Sequence, residues 1–267
     1  MGDLVTKLQK EIYLIKSKVN YENLKNDYFL QKVFNNLEKK KSLNIVKYNK
    51  NIQKRININI NDYKEYSEKY SSIEIELIPV SYKYGEFINI EKEKEIYYHI
   101  YFNNNKEELK RNYTVKYEDI KIIKIIIDNQ VNSFEHLFFF RDSIKSIYFK
   151  KFYRSNINNM RGMFDGCSSL RELNLSNFNT NNVIDMAFMF NGCSSLKELN
   201  INNFNTSKVT NMNEMFSGCS SLKELNLSNF NTNNVISMNY MFYGCSSELI
   251  MKIKTKYKNL KEEAFKD

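Results

Sequence analysis

Apolar side chains in the second half of the chain recur with a fixed rhythm. Met163-Phe164, Met189-Phe190, Met215-Phe216 and Met241-Phe242 are spaced 26 residues apart. Gly166-Cys167-Ser168-Ser169 and its three later counterparts keep the same spacing, and between them runs L-x-E-L-N-[LI]-x-N-F-N-T, as 170–180, 196–206 and 222–232. Such self-similarity marks a repeat architecture. Within a copy, Leu199 and Ile201 alternate with Asn200 and Asn202, the period of a strand buried on one side. Val209, Met212, Met215 and Phe216 then fall at helical spacing, and Gly218 follows where a helix end favours glycine. One unit is therefore predicted as strand, turn, helix and return.

The pattern weakens outward. Phe134, Leu137, Phe138, Ile144, Ile147, Phe149, Phe152 and Ile157 form a degenerate copy with Arg141 in place of the cysteine, and Ile120–Ile127 is expected to supply a strand before it. Met251 and Ile253 are expected on a last strand, followed by a charged helix over 258–265. Upstream, Ile73, Ile75 and Leu77, then Ile96, Tyr98, Ile100 and Phe102, alternate as in strands. Leu4, Leu8, Ile12, Ile15 and Val19 make a helical stripe, and Leu24, Leu30, Val33, Phe34 and Leu37 a second. The organisation expected is a helical module over 1–60, a β-rich unit over 61–128, repeats over 129–247 and a strand-helix cap over 248–267.

The motif F-N-T-x-x-V-x-x-M-x-x-M-F-x-G-C-S-S-L resembles the BspA-type leucine-rich repeats, with the match strongest over 160–247. That resemblance implies an α/β leucine-rich-repeat solenoid of strand-helix units with a protein-binding role, which in secreted members is often adhesion. A second resemblance lies in Phe29-Leu30-x-x-Val33-Phe34-x-x-Leu37, followed by Leu43 and Val46, which is similar to an F-box without its usual Leu-Pro opening. It implies a docking helix carrying Leu30, Val33, Phe34 and Leu37 in a substrate adaptor of a ubiquitin ligase. A plain helical cap is the competing reading.

Composition adds little chemistry. The chain of 267 residues has a formal charge of +9, and residues 1–60 hold 13 Lys/Arg against 5 Asp/Glu. A basic surplus can steer acidic partners, but nucleic acid is not the expected ligand. The four cysteines hold one place in the repeat without a Cys-x-x-Cys pair, so they are expected as buried corner residues and not metal ligands. His99 and His136 have no spaced partner, and no phosphate loop or paired-carboxylate motif is present. The expectation is a non-catalytic scaffold without cofactor or metal that binds a protein. The candidate surface is the outward side of the predicted strands, Lys197, Glu198, Asn200, Asn202, Lys223, Glu224 and Asn226, with the variable Phe188 and Tyr240 on the helix side. No secretion signal or long apolar run is visible, so a cytoplasmic location without membrane anchoring is expected.

Overall fold

The computed structural model describes residues 27–35, 37 and 39–266. The stripe from Leu4 to Val19, Leu24 and the side chain of Phe29 lie outside the described residues. The chain divides into two compact units, Met1–Tyr66 and Ser67–Asp267.

The first unit contains α1 (Asp27–Asn35), α2 (Lys39–Val46), α3 (Lys50–Arg55) and the start of α4 (Ile60–Tyr70). Leu30, Phe34, Val46 and Ile52 bury one another, with Leu37, Ile56, Ile58 and Tyr63 packed around them. Polar side chains close the gaps between helices. Asn49 caps α3 by accepting from the Ile52 amide at 3.0 Å, and Gln53 donates to the Val46 carbonyl at 2.7 Å. Arg55 reaches Asp27 at 2.7 Å, tying the end of α3 to the start of α1.

In the second unit a mixed five-stranded sheet runs in the order β3-β5-β1-β6-β7, from β1 (Ile73–Pro79), β3 (Tyr98–Phe102), β5 (Ile123–Ile127), β6 (Ile144–Lys151) and β7 (Glu172–Asn174). β2 (Gly85–Glu86) and β4 (Tyr113–Thr114) form a separate pair. The alternation visible in the sequence decides the register. Ile73, Ile75 and Leu77 of β1 lie opposite Ile127, Ile125 and Ile123, all fully buried. On the other face Glu76 meets Lys150 at 3.0 Å and Glu74 meets Lys124 at 3.6 Å, cross-strand pairs that favour the same register. β1 enters between β5 and β6, so β5 is antiparallel to β1 and is not the preceding turn of the repeat. Within this sheet β6 and β7 pair in parallel, and isolated parallel bridges join Ser133, Asn159, Asp185, Asn211 and Ser237 of successive copies. Ile96 falls in a 3-10 helix (Lys92–Tyr97) and is exposed, outside the strand expected to include it.

The solenoid of strand-helix units does not form; the regular structure of this unit is the five-stranded sheet, and the repeats themselves are built from turns. Two local causes account for the difference. The predicted helix over 209–216 is interrupted by Glu214 in the left-handed region (φ +51°), as are the equivalent stretches by Phe188 (φ +59°) and Tyr240 (φ +56°). With the helical ladder broken, the amides bond the next copy instead. Phe164 donates to the Met189 carbonyl, Phe190 to Met215 and Phe216 to Met241, at 2.9, 2.9 and 3.0 Å. In the L-x-E-L-N segments, the asparagine side chains take the amides that a strand would use. Asn174, Asn200 and Asn226 accept from the residue two ahead at 2.9–3.1 Å, and Asn203 donates to the Leu175 and Phe178 carbonyls at 3.0 Å. Only the first copy, against β6, keeps a short strand.

The apolar positions of the repeat are buried as the pattern requires, including Leu199 and Ile201, Met212, Met215 and Phe216. Phe138, Phe164, Phe190, Phe216 and Phe242 stack face to face at 5.6–5.8 Å. Each cysteine thiol donates to the phenylalanine carbonyl one copy back, at 3.0 Å from Cys167 to Phe138 and 3.2 Å from Cys193 to Phe164. Burial pushes the Cys167 thiol up to about 12 and Cys245 to about 11.

Met251 and Ile253, expected on a last strand, lie on α5 (Ser247–Lys256), which Ser246 caps by accepting from Leu249 at 3.2 Å. The charged helix expected over 258–265 is reduced to a 3-10 turn, Glu262–Phe265. There the Glu263 and Ala264 carbonyls receive the Tyr240 and Phe242 amides at 3.0 and 3.1 Å.

Candidate functional site

A cleft of about 960 Å³ opens between the L-x-E-L-N segments of two repeat copies and α5. Lys197, Glu198, Asn200, Asn202, Lys223, Glu224 and Asn226 all line it, and all are exposed. Their outward direction follows from alternation: Leu199, Ile201, Leu225 and Leu227 turn into the core, so their neighbours turn out. The opposite wall, from Met251, Lys252, Lys256 and Tyr257 of α5 and its end, is absent from the sequence reading. Met251 is 69% exposed there. The signal that would have found this wall is the i, i+4 pair Leu249 and Ile253, which α5 buries while its other side faces out.

Hydrogen bonds fix the cleft's end. The Tyr257 hydroxyl accepts from the Leu227 amide at 2.9 Å and donates to Asn226 Oδ1 at 3.0 Å, and Asn226 Nδ2 donates to Asn202 Oδ1 at 2.8 Å. Lys252 is paired with Glu248 at 2.8 Å on the exposed side of α5. Among the described residues, the backbone amides and carbonyls of 197–200 and 223–226 have no hydrogen-bond partner.

Phe188 and Tyr240 lie elsewhere, at the left-handed corner of their copies. The Arg161 guanidinium sits 4.7 Å over the half-buried Phe188 ring, and Tyr240 packs edge-on against Tyr243 at 6.4 Å. The same corner is Gly162 in the first full copy, where the His136 ring fills the space a Cβ would need. Corner residues thus answer to packing between copies. In the helical unit, Leu30 is fully buried and Phe34 nearly so, whereas Val33 and Leu37 are half-buried. Leu30, Phe34 and Leu37 of the expected docking face therefore pack in that unit's own core.

His99, Asp165 and Arg154, outside the cleft, are among the titratable groups that depart from their ordinary behaviour, and within it Glu248 holds the Lys252 pKa up. His99 lies between Glu108 at 3.1 Å and Asp128 at 3.3 Å; partial burial opposes its charge, but the two carboxylates outweigh it and hold the imidazole pKa up. Burial raises Asp165 to about 6, with Glu214 adding to the effect. Arg154, fully buried, is lowered to about 10 by burial and donates to the Asp128 carbonyl at 2.8 Å. Among the described residues no group of three or more His, Cys, Asp or Glu side chains could hold a metal ion, and no helix is long and apolar enough to cross a membrane.

A family model described as "Mycoplasma protein of unknown function, DUF285" matches residues 132–254, which includes both sides of the cleft as far as Lys254. That family is linked to BspA-like repeat proteins. No curated protein and no solved structure matches the chain.

Proposed function

We propose that the chain is a non-catalytic scaffold that binds a protein partner in the cleft between its L-x-E-L-N segments and α5. One observation carries the reading: seven outward side chains from equivalent places in two repeat copies converge on a single cleft. A surface that combines an apolar floor with a charged rim suits recognition of a polypeptide. The family match is compatible with this reading through its link to BspA-like repeat proteins.

The test compares three baits in affinity capture from the native cell: the unaltered chain, K197E/K223E, and Ile184→Ser outside the cleft. A protein retained by the first and third and lost from the second supports the reading. Retention of every partner by K197E/K223E overturns it. The exposed positions of Lys197, Lys223 and Ile184 keep the variants' stability close to that of the parent.

A further inference from the structure

We infer that the cleft takes an extended, acidic segment of its partner; this deepens the scaffold reading above and rests on it. The argument begins with charge. Four lysines line the cleft, Lys197, Lys223, Lys252 and Lys256, against the two glutamates Glu198 and Glu224. Lys252 is neutralised by Glu248, but Lys197 and Lys223 make no salt bridge among the described residues, and Lys256 only covers the Tyr257 ring at 5.3 Å. A surplus of uncommitted ammonium groups in a concave site raises the local concentration of negative ligands and speeds their association.

The backbone supplies the second observation. Residues 197–200 and 223–226 line the cleft, and their amides and carbonyls make no hydrogen bond among the described residues. Unfilled backbone groups in an extended stretch are what a peptide in strand-like conformation bonds to, with its side chains left to set specificity. The third observation is apolar. Leu199 and Leu225 are each 7% exposed, more than Leu196, Ile201, Leu222 or Leu227, and opposite them stands Met251 at 69%. A flexible methionine beside two leucine edges accommodates one aliphatic anchor of no fixed shape. The ligand so defined is an extended run of Asp and Glu interrupted by a large aliphatic residue.

Fluorescence anisotropy on the full chain tests this with three labelled probes: a short glutamate-rich peptide with a central leucine, its glutamine counterpart and its lysine counterpart. The glutamate probe should bind, and should weaken by about tenfold or more as salt is raised across the physiological range. It should lose about tenfold or more in K223E/K256E, an exposed pair whose reversal leaves the melting temperature unchanged. Equal binding of the glutamine probe, tighter binding of the lysine probe, or unaltered binding of the glutamate probe to K223E/K256E overturns the inference. Failure of the glutamate probe alongside capture of a cellular partner that K197E/K223E loses would overturn the acidic segment alone and leave the scaffold standing.

Discussion

Phe265 stacks on Phe242 at 5.4 Å with 21° between the rings, in the place where the repeat would put its next phenylalanine. The residues around it complete the imitation. Glu263 and Ala264 accept the amides of Tyr240 and Phe242, Glu263 Oε1 takes the Met238 amide at 3.1 Å, and Lys261 donates to the Val235 carbonyl at 2.9 Å. Backbone groups at the end of an array must find partners or water, and here a short tail provides them. Phe265→Ala should therefore destabilise the chain by about 2 kcal/mol, below the usual range for a fully buried phenylalanine because this ring is half-buried. Urea unfolding followed by circular dichroism measures it. A midpoint equal to that of the parent would show that the tail is only adjacent to the last copy.

The thiols offer a residue-by-residue check on burial. Cys167, Cys193 and Cys219 are fully buried and donate to carbonyls, whereas Cys245 is partly exposed. Under native conditions an aromatic disulfide reagent should modify Cys245 first, and the other three only as fast as the protein opens. Mass spectrometry of the partly labelled chain identifies the order. Early modification of Cys193 would contradict the packing described.

Asp165 is a carboxyl whose burial works against the fold at neutral pH. Its folded-state value of about 6 lies above the ordinary 3.8, so the folded chain keeps a proton that the unfolded chain releases between these values. Stability contributed by this group is thus present below pH 3.8 and falls as pH rises to about 6. Asn191 holds the equivalent place in the next copy, where it donates to Glu214 at 3.1 Å. Asp165→Asn should raise stability at pH 7.5 by about 1 kcal/mol, discounted because the group is half-exposed, and should have no effect near pH 3. Denaturation midpoints at the two pH values decide it.

His99 has the same sign for the opposite reason, since here the fold favours the charged form. Its raised value means that the imidazolium, bound by Asp128 and Glu108, stabilises the folded state fully below the ordinary histidine value of 6.5. The contribution is lost as pH rises through the higher folded value. His99→Gln should cost about 0.5–1 kcal/mol at pH 5.5 and less at pH 9, since partly exposed pairs are individually weak. An equal cost at both pH values would assign the histidine a packing role alone.

Leu30 tests the helical unit. It is fully buried against Val46 and Ile52, and Leu30→Ala should cost about 3 kcal/mol there. Protection of the α1 and α3 amides in hydrogen exchange should fall accordingly. Unchanged protection would mean that the Leu30 side chain is free to dock elsewhere.

The legible part of the fold was its inside. Period-two alternation marked Ile73, Ile75 and Leu77, and the 26-residue rhythm marked every phenylalanine of the stack. Conformation was less legible than burial. Nothing in the residue types of Phe188, Glu214 or Tyr240 announces a left-handed backbone, which is uncommon outside glycine; only Gly162 at the same corner of a neighbouring copy hinted at it. The asparagines hold successive copies together through side-chain bonds that no apolar pattern announces. For Met251 and Ile253 a spacing of two favoured a strand, while Leu249 and Ile253 at a spacing of four, with Ser246 before them, marked the helix that formed. One wall of the cleft could be read from alternation, and the other depended on that helix.

The mimicry by Glu263, Ala264 and Phe265 bears on how such a chain can lengthen. Each copy offers its neighbours the same bonds, from the Phe-to-Met amide ladder to the cysteine thiol, and the tail needs only a final copy of the standard kind to rest on. Insertion or loss of a whole 26-residue block between Leu196 and Leu222 would leave both terminal arrangements with familiar neighbours. A change that is not a multiple of 26 residues would break the register of the phenylalanine stack. Gene duplication in steps of 78 nucleotides is thus the form of variation this architecture tolerates, as the near-identity of its middle copies already suggests.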